Sequence, residues 1–322
     1  MKTLNAVFFL IGMCALPLAC HAQHFPAAGK SIRIVVPFPP GGATDIQARL
    51  IAQKLVESLH VPVLVENKPG ASTVIGSREV ASAVPDGHTL LCTIGIIAQL
   101  PHLFRAPPFE LFRDFTPLTA ISLAGTVLTA HVSLPASNVA ELIAYAKSHP
   151  GKVIYASFGS GTSSHLNGEA LKRLAGIDIV HAPYRGSSEF SRDLLAGKVH
   201  ISFDGPTTAL LNAKSGKVKL LGAATDRRIA VLPDLPTLRE QGLAVGSNGF
   251  IGFFGPGAMP PALAEVVTHE LAKVISLPET RKALVEGGTE QGGMSRVEFA
   301  AIVRSVYEYW GGVIRETGVR LD

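Results

Sequence analysis

The sequence predicts an α/β protein folded as two lobes. Short apolar runs alternate with amphipathic helical patterns from Ile32 onward, as βαβ units do. At 115–132 the alternation is broken by two extended runs, 118–123 and 126–132, with no helix between them, which suits a crossing between lobes. A strand, a glycine-rich turn and a helix occur twice, over 32–55 and 153–174, once in each lobe. This reading assigns residues 23–123 and 224–322 to the first lobe and 124–223 to the second, behind a leader at 1–22.

The leader carries Lys2, an apolar run at 7–18 broken by Pro17, and then Cys20-His21-Ala22-Gln23. A basic start, a short apolar stretch and a small-x-small site read as a secretory signal cleaved between Ala22 and Gln23. Lipidation at Cys20 is the alternative, but Pro17 and Leu18 make a poor lipobox. Cleavage removes Cys14 and Cys20 and leaves Cys92 alone, so the mature chain is expected to form no internal disulfide. The chain is therefore expected to be exported, and no later segment reads as a membrane span. A hydrophobic content of 47% with 17% charged residues describes a globular protein rather than a disordered one. The net charge of +4 comes without a Lys/Arg run or aromatic–basic interleaving, which argues against nucleic acid. A small acidic solute suits this charge better.

In the first lobe the β-branched run 32–36 leads into Pro37-Phe38-Pro39-Pro40-Gly41-Gly42-Ala43-Thr44-Asp45, where Asp45 opens a helical pattern carrying Ile46, Leu50, Ile51 and Leu55. Such a turn leaves backbone N–H groups free at the positive end of a helix, ready for a carboxylate or phosphate. An ordinary α/β connection would use the same glycines and prolines. A strand at 61–65 stops at Glu66-Asn67-Lys68-Pro69-Gly70, and a helix at 76–84 ends at Pro85-Asp86-Gly87. The near-continuous apolar run 89–97 reads as a strand buried on both faces. The second lobe repeats the scheme: helix Val139–Ser148, strand Val153–Ser157, the turn Phe158-Gly159-Ser160-Gly161-Thr162-Ser163-Ser164, and a helix at 165–175. Strand 177–182, Pro183-Tyr184-Arg185-Gly186, helix 188–196, strand 199–203 and a return strand at 217–224 follow. A short helix at 234–242, a strand at 250–254 and helices at Pro261–Ile275, Pro278–Glu286 and 296–318 complete the chain, the last with Trp310 as a packing residue.

Ligands of open α/β sheets bind beyond the carboxyl ends of strands, where both glycine-rich turns lie. Two facing turns would grip one anion from both sides, the second adding the hydroxyls of Ser160, Thr162, Ser163 and Ser164. Gly159-Ser160-Gly161 matches neither a nucleophile elbow nor a dinucleotide fingerprint. A hydrolase would need Ser160 or Ser163 activated by His165, a geometry that neighbours on one turn rarely reach. His165 either donates to a ligand or packs, and Asp45 either complements its helix or orients waters beside the anion. Arg185 either pairs a second carboxylate or is solvated, and Asp204 ends a strand where ligand contacts are expected. Thr93 and Ser157 complete the candidate set. No His/Cys/Asp/Glu grouping has metal spacing, with His21 and His24 straddling the cleavage site. No cofactor is expected.

These residues together resemble the Bug family, the receptors of tripartite tricarboxylate transporters. The resemblance spans nearly the whole mature chain and rests on ordered motifs. They are the turn at 36–45, Val65-Glu66-Asn67-Lys68-Pro69-Gly70-Ala71, Pro85-Asp86-Gly87-His88-Thr89-Leu90-Leu91 and Asp114-Phe115-Thr116-Pro117, then the segments at 141–147, 159–166, 183–186, 232–237 and 252–256. It implies a periplasmic, monomeric receptor of Venus-flytrap shape, similar to type II binding proteins. A small carboxylate would be clamped between the lobes by Phe38, Gly41, Gly42 and Asp45 from one side, with Pro39 of the same turn a further candidate. From the other side would come Gly159, Gly161, Thr162, Ser163 and His165, with Asp204 toward the distal part of the ligand. The receptor would be non-enzymatic and deliver its solute to membrane permease subunits. A sensor that docks a signalling partner would bind the same solute. The isoleucines of 93–99, Gly205 after Asp204 and Phe250 depart from the family pattern and suggest an apolar pocket, suited to an aromatic acid or an aliphatic dicarboxylate.

Overall fold

The computed structural model describes residues 25–247, 249–287 and 289–322; the expected leader at 1–22, the expected cleavage site, Cys14, Cys20, His21 and His24 lie outside them. The first lobe is built on a six-stranded sheet and the second on a five-stranded one. In chain order the first lobe contains β1 (Ile32–Val36), α1 (Ala43–Leu59), β2 (Val63–Asn67), α2 (Val74–Ala81), β3 (Thr89–Ile94), α3 (Ile96–Leu103), α4 (Leu111–Asp114) and β4 (Phe115–Ala124). The second contains β5 (Thr126–His131), α5 (Val139–Ser148), β6 (Val153–Ser157), α6 (Ser163–Ala175), β7 (Ile179–Pro183), α7 (Ser187–Leu195), β8 (Ile201–Asp204), α8 (Pro206–Lys214) and β9 (Val218–Ala224). The chain then returns to the first lobe with β10 (Gly249–Pro256), α9 (Pro261–Ile275), α10 (Pro278–Glu286), β11 (Glu290–Gln291) and α11 (Arg296–Thr317).

The strand orders are β11-β4-β10-β3-β1-β2 and β7-β6-β8-β5-β9. In each lobe the glycine-turn strand, β1 or β6, pairs in parallel with both neighbours, as the βαβ pattern requires. The crossing strands run antiparallel: β10 inserts between β3 and β4, and β5 between β8 and β9. Each lobe has its own core, around Ile34, Val35, Leu91 and Phe253 in the first and Leu128, Tyr155, Ile201 and Phe203 in the second. The long helix α11 starts at a capping box, with Ser295 and Glu298 each satisfying the other's backbone N–H. Its apolar stripe of Phe299, Val303, Val306, Trp310 and Ile314 packs on the first lobe.

Three local expectations change. The run 89–97 is not one strand: β3 stops at Ile94, Gly95 turns the chain, and α3 begins at Ile96. Ile96, Ile97, Leu100 and Leu103 are all buried, and a fully buried helix carries no polar face to betray its period. Residues 234–242 form turns rather than a helix, and Thr237 bridges Ala223. Leu238 from this stretch, with Leu243 and Val245 just beyond it, belongs to the second lobe's core, so the return crossing lies near 247–249 instead of at 224. Helix α8 follows Gly205-Pro206, a start signal that the sequence reading passed over.

The crossings touch closely. A Cβ at Gly125, between β4 and β5, would stand 2.0 Å from Thr225 Cγ2 and 3.0 Å from the Ala224 carbonyl, so only glycine lets the connecting segments lie together there.

Candidate functional site

Between the lobes lies a cavity of about 90 Å³. The first lobe lines it with Phe38, Pro39, Gly42, Ala43 and Thr44 from the first glycine turn, with Ile94, Gly95 and Gln99 beyond β3, and with Phe250, Ile251, Val306 and Trp310. The second contributes Phe158, Ser163 and Asn167 around α6, Gly186, Ser187 and Ser188 at the start of α7, and Gly205, Pro206 and Thr207 at the start of α8. Gly125, Thr126, Ser247 and Gly249 from the crossings close it.

The N-terminal ends of α1, α6, α7 and α8 therefore meet at one cavity. No side chain caps α1, α7 or α8, so their first-turn N–H groups lack the usual hydroxyl or carboxylate acceptor. The exception is α6, where the Thr162 hydroxyl receives the His165 N–H at 3.5 Å. Among the described residues, no charged side chain lines the cavity. Its positive potential comes from backbone amides and helix dipoles, which attract an anion without a counter-charge. Several neutral polar groups at the wall are buried and lack a partner among the described residues: both amide atoms of Gln99, Oδ1 of Asn167 and the hydroxyl of Ser247.

The predicted residues separate into three groups. Phe38, Pro39, Gly42 and Ser163 line the cavity directly. Gly159, Ser160, Thr162 and Arg185 instead border a wider opening of about 710 Å³, with Pro69, Ser72 and Thr73 across from them. The remainder stand behind the walls. Asp45 is buried, receives the Gly41 N–H at 2.9 Å, and holds Arg49 and Asn67 at 3.0 and 2.9 Å. Burial alone would raise its pKa, but the bonds from Arg49, Gly41 and Asn67 outweigh that and keep the carboxyl below its ordinary value. Asp45 thus shapes the turn. Gly161 donates its N–H to His165 Nδ1 at 3.0 Å, so that nitrogen points into its own turn. The His165 ring stacks on His181, with centroids 4.0 Å apart, and burial keeps both rings neutral, His181 down to about 3.

Ser157 bonds His181 Nε2 at 2.7 Å, and Thr93 is fully buried beside β10 with its hydroxyl unpartnered among the described residues. Asp204 lies directly behind the cavity-lining Gly205. Its Oδ1 accepts the Gly205 N–H at 2.8 Å and its Oδ2 has no partner among the described residues. Burial drives its pKa up to about 8, against the weaker pull of the Ser187 hydroxyl and the Gly205 amide, so near neutral pH it is a carboxylic acid. Gln99, Asn167, Ser187, Ser188, Thr207 and Ser247 are not among the candidate residues that the sequence offers, although Gln99 ends the 93–99 segment read as part of the pocket. Otherwise only the starts of α7 and α8, where Gly186-Ser187 and Gly205-Pro206 follow strands, carried a readable signal.

The model of the tripartite tricarboxylate transporter family receptor matches residues 47–319. The chain belongs to this family. A UPF0065 protein of Bordetella pertussis is 34% identical over 304 residues, covering 94% of this chain and 93% of its own. Among solved structures, the periplasmic binding protein BugD is 29% identical at a TM-score of 0.84, covering 91% of this chain and 99% of its own. The R. palustris protein Rpa4515, solved with adipate, is 29% identical at a TM-score of 0.86, covering 92% and 99%. The receptor is a periplasmic solute-binding protein of two-lobed α/β architecture, and the Bug resemblance in its motifs reflects that membership.

Proposed function

We infer that this receptor captures a small carboxylate between its lobes and delivers it to the permease of a tripartite tricarboxylate transporter, without performing catalysis. The observation that carries the reading is the convergence of uncapped helix starts on a cavity lined by no charged side chain among the described residues. A carboxylate placed there accepts amides from both lobes at once, so it favours the closed arrangement over the open one. Each hydrogen bond to a charged group contributes about 1.5–3 kcal/mol. Roughly four of them, less the cost of ordering ligand and lobes, reach the ~8 kcal/mol of micromolar binding. The adipate bound to Rpa4515, a relative of the same architecture, supports a carboxylate as the ligand class.

The test is calorimetric titration of adipate, pentanoate and benzoate, each paired with its uncharged amide. At least one acid should bind while its amide binds about a hundredfold more weakly or not at all. Equal binding of acid and amide, or no acid bound at millimolar concentration, overturns the reading.

A further inference from the structure

We propose that the receptor selects a monocarboxylate carrying a neutral hydroxyl-like group on an apolar body, and that Gln99 reads that group; this rests on the carboxylate-receptor reading above. Gln99 is fully buried on α3, lines the cavity, and has neither its amide N–H₂ nor its carbonyl oxygen partnered among the described residues. A buried amide with donor and acceptor both unmet is costly, and a ligand that satisfies both gains correspondingly. Ile94, Phe250, Ile251, Val306 and Trp310 give the first lobe's share of the lining a mostly apolar character, and the other unmet polar groups of the cavity, on Asn167 and Ser247, are neutral.

The sheet order places this wall relative to the anion site. Strand β1 delivers the glycine turn at the start of α1, β3 lies beside it and leads into α3, and β10 lies beyond β3. Two strand spacings amount to about 10 Å. Phe250, at the start of β10, thus stands about the length of one small acid from the α1 turn, with α3 and Gln99 following the strand between them. A second carboxylate at that wall would enter an apolar surface without a cation, which is unfavourable. A hydroxyl both donates and accepts, matching the two unmet atoms of one amide.

The experiment compares 4-hydroxybenzoate with benzoate, 5-hydroxypentanoate with pentanoate, and adipate, on the wild-type receptor and on Gln99→Leu and Gln99→Met, with unfolding curves confirming the fold of each variant. The wild type should bind the hydroxy acid of at least one pair about tenfold more tightly than its parent, and adipate more weakly than that hydroxy acid. In both variants the hydroxy acid should lose its roughly tenfold advantage over the parent acid. The inference is overturned if adipate is preferred, if the wild type shows no hydroxyl preference, or if the preference survives both substitutions; in each of these cases the carboxylate reading stands. Binding of no acid at all overturns both together.

Discussion

Adding one methyl group at Gly161 should hold the lobes apart. Gly161 sits in the second lobe at φ +80, and a Cβ built there would lie 2.5 Å from Leu103 Cδ1 and 2.9 Å from Leu321 Cδ1, both on the first lobe. Carbon atoms at rest stand about 3.5–4.0 Å apart, so closure would drive the new methyl roughly 1 Å into its neighbours. Leu321 is only partly buried and can swing aside, whereas Leu103 is fully buried in the first core and cannot move cheaply. Overpacking of this kind costs about 1–3 kcal/mol, and the lower half of that range fits a clash with side-chain ends. Because the cost falls on the closed form, Gly161→Ala should weaken carboxylate binding by about 5- to 30-fold. Gly41→Ala is the matched control: its φ is +84, so the backbone strain is similar, yet its Cβ would meet nothing within 4 Å. Calorimetry with the best-binding acid measures both variants, and small-angle scattering with saturating acid reads the closure. Replacing Leu103 with Ala in the Gly161→Ala background should restore part of the affinity. Equal affinities for the two single variants, or an unchanged Kd in Gly161→Ala, would refute interlobe contact at this turn.

Two further outcomes follow from the carboxylates behind the site. Asp45→Ala removes the acceptor shared by Gly41, Arg49 and Asn67, so chemical unfolding should show a loss of about 1–3 kcal/mol together with weaker binding; an unchanged midpoint counts against a structural role. Asp204 is raised to about 8 in the fold, so its contribution to stability is full below its ordinary carboxylate range and is lost as pH rises toward about 8. Above that pH its charge opposes a bound anion. Affinity should therefore fall by about tenfold between pH 7 and 9.5, and Asp204→Asn should abolish that fall, as titrations at several pH values would show. A wild-type affinity flat across this range would place Asp204 outside the reach of the ligand.

Particular residues show what local sequence determines here. The β-branched run at 32–36, the glycines at 41–42 and the helical spacing of Ala48, Ile51, Ala52 and Leu55 specify strand, turn and helix through interactions within a few residues, and the repeat at 153–174 does so again. Two lobes and two glycine-rich turns were legible for that reason. The roles within the turns were not, because Asp45 and His165 spend their polar atoms on Gly41 and Gly161 and only the folded geometry shows which acceptor each amide meets. The break at Gly95 was hidden because the buried first turn of α3, starting Ile96-Ile97, continues the same apolar run as the buried strand before it. Tertiary structure alone brought Gln99, Asn167, Ser247 and the starts of α7 and α8 to one cavity. These residues are scattered over more than a hundred positions, and their nearness depends on strand order and on how the lobes meet. Neither quantity is written in the spacing of neighbouring side chains, because pairing between distant strands is decided by the packing of whole faces.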